Sequence, residues 1–220
     1  TCDWSSDVCS SDLMHSGIAT VSKEIVLSTV KEYDWVQLGA ALKHPDQGKV
    51  FDLSQDVARQ TGVADANVKL YASTGYGNPD VLRELIQIEQ PDAILHFTDP
   101  RFWGWLYSME HEIRQSIPLL YYTIWDDTPY PRYNKPYYES CDMLMCISKQ
   151  TYNIVKQVLK DVNYKDWQIT YVPHGINHTS FFPIDKTHSE WTAFTEFKKS
   201  LIPEHTKFRS EEHTSELQSH

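Results

Sequence analysis

The sequence predicts an α/β domain: a parallel sheet with helices on both faces. Two observations carry that expectation. Short continuous apolar stretches, "DAILHF" at 92–97, "PLLYYTIW" at 118–125 and "DMLMCIS" at 142–148, have the length and content of strands buried on both sides. Between them run segments with apolar residues at helical spacing, two of them opened by Asn-Pro or Asp-Pro. Continuous strands alternating with amphipathic helices call for crossover connections, and crossovers make a sheet parallel.

Each element follows in order. Residues 16–33, "SGIATVSKEIVLSTVKEY", place Ile18, Val21 and Ile25 on one helical face. "DWVQLGA" at 34–40, "KVFDLS" at 49–54 and "VKLYAS" at 68–73 read as short strands. In 78–90, Asn78 is the N-cap and Pro79 the first helical residue, with Val81, Leu82, Leu85 and Ile86 as the apolar stripe. The same start recurs at Asp99-Pro100, which predicts a helix over 99–116. Residues 126–136, "DDTPYPRYNKP", read as a proline-rich loop. The helix over 148–160 buries Thr151, Ile154, Val155, Val158 and Leu159, and "ITYVPHG" at 169–175 supplies the last strand. Residues 185–208 lose the alternation and read as a connector.

The two ends read differently. "RSEEHTSELQSH" is the translation of a common sequencing-adapter oligonucleotide, and "DWSSDVCSSDL" at 3–13 is the translation of its opposite strand. Residues 1–13 and 209–220 are therefore expected to be adapter-derived and to take no part in the fold. The remaining 14–208 divide into a domain at 14–184, lacking its first strand, and the connector at 185–208. Setting the flanks aside changes the formal charge from −10 to −5, because six acidic residues and Arg209 go with them. The mild acidity gives no footing for nucleic-acid binding. Cys141 and Cys146 are the cysteines left, and reduced thiols are expected of them. With no apolar run near the roughly 18 residues a span needs, no transmembrane segment is expected. These features fit a cytoplasmic protein, peripheral to a membrane at most.

In an open parallel sheet, ligands gather beyond the carboxyl ends of the strands. That rule selects Gly17 at a helix start, His96 and Asp99, Asp126 and Asp127 with the loop to Lys135, Ser148, and Pro173–Asn177. A helix start with glycine lets an anion approach the backbone, and a plain helix entry fits Gly17 equally. Asp99 fits an N-cap, and His96 fits a satisfied core histidine as well as a ligand-facing one. Asp126 and Asp127 are adjacent, so their side chains diverge, which suits orienting a hydroxyl or fixing the loop better than holding a metal. No metal is expected. Phe102, Trp103, Trp105 and Tyr107 share one expected helix, where core packing is favoured over sugar stacking.

"ITYVPHGINHTSFFP" resembles the segment "vPnGvD…F.P" of family-four glycosyltransferases of the GT-B fold, with Pro173, Gly175, Ile176, Asn177, Phe182 and Pro183 on the pattern. His174 stands where that pattern has Asn, and Asn177 where it has Asp. "CDMLMCISKQTYNIV", which includes Ser148, resembles the strand and helix that precede it; "PDAILHFTDPRFW", "IPLLYYTIWDDTPYP" and "HSGIATVSKEI" resemble the earlier strands and the glycine loop. The resemblance implies the Rossmann-like N-terminal acceptor domain of a two-domain enzyme. It also implies retaining transfer of a sugar from a nucleotide-sugar, a co-substrate and not a cofactor, to an acceptor hydroxyl. Gly17, His96, Asp99, Asp126 and Asp127 become substrate-binding candidates, and Ser148, Pro173, His174, Gly175 and Asn177 motif positions, Gly175 for a tight turn. The family's catalytic glutamate motif has no counterpart in this chain, so the catalytic residue stays unknown and the chain alone is expected to be inactive. A nucleotide-sugar 2-epimerase of the same fold and a non-enzymatic Rossmann-like binding module are the alternatives.

Overall fold

The computed structural model describes residues 17–41, 48–179 and 181–201. The expected adapter segments lie outside them. The chain divides into two units, Thr1–Gly175 and Ile176–His220.

The first unit is α/β and Rossmann-like. Its strands form two sheets. Four strands, β4 (Ile94–His96), β5 (Leu119–Thr123), β6 (Met143–Cys146) and β7 (Ile169–Tyr171), pair in that order and are all parallel. Three others, β1 (Trp35–Ala41), β2 (Val50–Asp52) and β3 (Val68–Thr74), form a second sheet in the order β1-β3-β2. There β1 runs parallel to β3 and β2 runs antiparallel. The wholly parallel expectation fails at β2. A parallel return needs a crossover of a dozen or more residues, and only the eight residues 42–49 separate β1 from β2.

Helix α1 (Gly17–Thr29) buries Val26, and Val30 just beyond it, where the sequence suggested Ile18, Val21 and Ile25. With α2 (Ser54–Thr61) it covers a small core of Val26, Val30, Leu53, Val57, Val68 and Leu70 on the three-stranded sheet. Helix α3 (Pro79–Glu89) starts as expected: the Asn78 side chain accepts from the backbone N–H groups of Asp80 and Val81 at 3.0 and 3.1 Å. Leu82 enters the core of the four-stranded sheet, while Glu89 at the far end accepts from Lys69 Nζ and from the Tyr71 hydroxyl on β3. One helix thus ties the two sheets together. The hydrogen bond to Glu89 pushes the Tyr71 pKa up to about 12.

The helix expected over 99–116 is broken. Its residues form a tight helical turn (Pro100–Trp103) and two short helices, α4 (Gly104–Ser108) and α5 (Glu110–Ile113). Trp103 and Met109 leave helical geometry, with φ/ψ of −113/24° and −94/3°. Gly104, a poor helix former, sits between two tryptophans, one buried and one half-buried against the same core, and packing overrides local periodicity. The proline-rich loop ends in another short helix, α6 (Lys135–Glu139), with Pro136 in its first turn where no N–H is needed. Helix α7 (Lys149–Val158) is slightly shorter than the expected 148–160 but buries the expected stripe. Ser148 caps it through Thr151 N at 2.9 Å, and Thr151, Ile154, Val155, Val158 and the following Leu159 are buried.

The amino edge of the parallel sheet is closed by Asp142. Its carboxylate accepts from Leu119 N at 2.8 Å and from Arg114 Nε at 3.0 Å, and Arg114 also meets Glu110 at 2.8 Å. Cys141 and Cys146 are free and buried; burial pushes the Cys146 thiol up to about 12 and Cys141 higher still. Among the described residues no helix is long and apolar enough to cross a membrane.

In the second unit, Phe181 N donates to Asn177 O at 2.8 Å and the rings of Phe182 and His188 sit 5.3 Å apart. The stretch expected to be a connector carries helix α8 (Trp191–Leu201).

Leu119 is fully buried in the centre of the parallel sheet. Truncating it removes packing and leaves a cavity that close-packed neighbours cannot fill. Leu119→Ala is expected to lower unfolding free energy by about 2–5 kcal/mol in urea titration.

Candidate functional site

The carboxyl edge of the parallel sheet is built from the ends of successive strands. The last residue of β4 is His96, in register with Tyr121 of β5. It is 5 % exposed and lies among the rings of Trp103, Tyr107 and Tyr121, with centroids 5.0–5.5 Å away. Its Nδ1 is 2.6 Å from the Tyr107 hydroxyl and its Nε2 is 3.3 Å from Thr98 Oγ1. Thr98 Oγ1 also donates to the Asp99 carbonyl at 3.4 Å. One arrangement satisfies all three contacts: Tyr107 donates to Nδ1, Nε2–H donates to Thr98, and Thr98 donates onward. Burial drives the imidazole pKa down to about 3, with Asp99 opposing it weakly. His96 is therefore neutral and fixed, a group that positions the loop it begins.

That loop carries Asp99 and Arg101. The Asp99 carboxylate accepts from Arg101 N and Nε at 3.0 Å, so it serves as cap and ion partner together. Its pKa is held below the ordinary carboxylate range first by the Arg101 side chain. The Arg101 guanidinium lies over the Trp125 ring, 5.4 Å from its centroid. This stack joins the exit of β4 to the exit of β5. Trp125 in turn meets the Tyr133 ring edge-on at 5.7 Å.

The β5 exit holds Asp126 and Asp127, both exposed. Asp127 Oδ1 accepts from Thr128 N at 2.7 Å, which fixes the loop. The Asp126 carbonyl accepts from Gln150 Nε2 on α7, so β5 and β6 exits are also joined. Among the described residues no hydrogen bond or ion pair engages the Asp126 carboxylate. Ser148 spends its hydroxyl on the α7 cap. Tyr122 OH reaches across to Val172 O at 2.9 Å and holds the β7 exit. Pro173, His174 and Gly175 follow it, all exposed. Gly175 has no left-handed φ, and an added Cβ would meet nothing within 4 Å. Asn177 lies in the second unit, where Oδ1 accepts from Thr179 N and Oγ1 at 3.0 and 2.6 Å. Gly17 opens α1, exposed, with equally open space at its Cβ. Among the described residues no hydrogen bond joins it to the His96–Asp126 group.

Two features were not singled out from the sequence. The first is the β3 exit, Gly75-Tyr76-Gly77, with left-handed φ of 60° and 70° at the two glycines. It turns Tyr76 onto Phe102, the rings stacked at 4.9 Å and 10°, and Trp105 Nε1 donates to Tyr76 O at 3.1 Å. A Gly-x-Gly between a strand and an Asn-Pro helix start was the available signal. The second is a set of unpaired polar atoms. Of five buried side-chain atoms lacking hydrogen-bond partners among the described residues, four belong to this edge: Trp103 Nε1, Thr123 Oγ1, Trp125 Nε1 and Asn134 Oδ1. Thr123 Oγ1 faces the phenols of Tyr121 and Tyr138 and draws on both, outside hydrogen-bond geometry. Each orphaned group costs about 1–3 kcal/mol, so the fold concentrates its polar cost here.

Among the described residues no three of His, Cys, Asp and Glu gather to hold a metal ion. No protein-family model matches the chain, and no curated protein matches it.

Because the folded pKa of His96 lies below the unfolded value of about 6.5, the unfolded state binds more protons between the two. This share of stability is full above about pH 6.5 and is lost as pH falls toward about 3. His96→Phe is expected to flatten the urea-midpoint slope between pH 7 and 4.5 relative to the parent chain. Equal slopes would mean that His96 titrates normally.

Proposed function

We propose that this chain provides the acceptor wall of a glycosyl-transfer cleft, as the N-terminal domain of a GT-B glycosyltransferase. The donor is a nucleotide-sugar, the acceptor a sugar or other hydroxyl compound, and the transfer retaining. The observation that carries the reading is the joining of five strand exits, those of β3 to β7, with an Asp126 carboxylate that no described residue pairs and orphaned polar atoms beside it. The ordered sequence resemblance supports it independently.

In this reading a neighbouring hydroxyl of the acceptor donates a hydrogen bond to the Asp126 carboxylate, and this orients the oxygen of the reacting hydroxyl. That oxygen forms a bond to the sugar's anomeric carbon as the bond to the diphosphate breaks, and the hydroxyl proton leaves with the departing phosphate oxygen. Arg101 is committed to Asp99 and not to Asp126. His96 and Asp99 act from behind, by fixing the loop. Backbone N–H groups at Gly17 face the diphosphate, where a helix terminus favours growing negative charge. The chemistry requires a facing donor domain, so binding energy in this chain alone is not focused on a transition state.

Asp126→Ala in the uninterrupted protein is expected to lower turnover by about 100-fold or more, with the unfolding midpoint unchanged because Asp126 is exposed. Unchanged turnover removes Asp126 from the site. The chain by itself is expected to show no transfer with any nucleotide-sugar; measurable transfer contradicts the two-wall reading.

A further inference from the structure

Tyr76 and Phe102 come from different strand exits, yet they form one stacked pair, 37 % and 53 % exposed. The offset stack of two partly exposed rings presents one continuous aromatic face to solvent. Their support is rigid. Tyr76 is held between two left-handed glycines, its carbonyl is bound by Trp105 Nε1, and Trp103 meets its ring at 6.1 Å. An added Cβ at Gly77 would touch Leu38 at 3.3 Å and Trp105 at 3.4 Å, so the turn is packed as well as bent.

We propose that the Tyr76–Phe102 pair is a stacking platform for the pyranose ring of a neutral saccharide. The axial C–H groups of a pyranose carry partial positive charge and fit the negative face of an aromatic ring. Charge selects the ligand class. The neighbouring cation, Arg101, is consumed by Asp99 and Trp125. Beyond it no described residue pairs the Asp126 carboxylate, and residues 14–208 are mildly acidic, with formal charge −5 once the expected adapter segments are set aside. A phosphorylated or carboxylated ligand meets repulsion here, while hydroxyl groups find an acceptor. This deepens the glycosyl-transfer reading by assigning the acceptor's ring a seat, and it takes its choice of saccharide from that reading.

The 220-residue chain is titrated with maltose, cellobiose and N,N′-diacetylchitobiose, and in parallel with uridine 5′-monophosphate and glucose 6-phosphate, followed by saturation-transfer NMR and tryptophan fluorescence. At least one neutral disaccharide is expected to bind, with strongest transfer to its axial protons. Tyr76→Ala and Phe102→Ala are each expected to weaken binding about tenfold with unchanged far-ultraviolet circular dichroism, while Tyr76→Phe retains it. The phosphorylated probes are expected not to compete. Absence of binding by any disaccharide, or displacement by either phosphorylated probe, overturns the platform. Binding that ignores both ring variants overturns the platform and leaves the glycosyl-transfer reading standing. Ring-dependent binding, with no transfer by the uninterrupted protein, leaves the platform standing and overturns the glycosyl-transfer reading.

Discussion

A neutral histidine at the end of one short strand organises the carboxyl edge of the parallel sheet. Burial among three aromatic rings holds the His96 pKa far below its ordinary value, and among the described residues no carboxylate is hydrogen-bonded to it. Both ring nitrogens are used, one by a tyrosine from α4 and one by the threonine two residues on. The strand exit, the helix after it and the neighbouring strand are thereby locked as one body. Just beyond it in the chain lie the Asp99–Arg101 pair, the guanidinium on Trp125 and the Phe102 ring stacked on Tyr76.

The two edges of the parallel sheet are treated unequally. At the amino edge, Asp142 accepts the Leu119 N–H and binds Arg114, and Gln168 bonds the Asp142 carbonyl. Polar groups there are paired off. At the carboxyl edge most polar groups are paired as well, but four buried side-chain atoms, Trp103 Nε1, Thr123 Oγ1, Trp125 Nε1 and Asn134 Oδ1, have no partner among the described residues. Pairing polar groups is what stability favours, and the two edges differ in how completely they achieve it.

Much of the fold was legible because the signals were local. Asn78 caps α3 as its Asn-Pro start announces, by side-chain geometry that the next three residues determine. The buried stripe of α7 follows from its spacing alone. What was not legible depended on distant partners. The break at Trp103 comes from packing against β4 and β5, and the antiparallel turn of β2 comes from a short connection. Asp99 was legible as a cap, but its pairing with Arg101 and the stack on Trp125 require the fold. Tyr76 was invisible as a site residue because its partner, Phe102, lies one strand exit away. The free state of Asp126 likewise emerges only once Arg101 is seen to be spent elsewhere.

The central claim is that exits of separate strands meet as one wall, and ring-to-ring nuclear Overhauser effects test it without any ligand. The structure requires cross-peaks between the rings of Tyr76 and Phe102, and between the Arg101 side chain and the Trp125 indole. Both sets observed together support the wall. Their absence, with β4 and β5 intact by amide shifts, would show the exits apart and contradict the account.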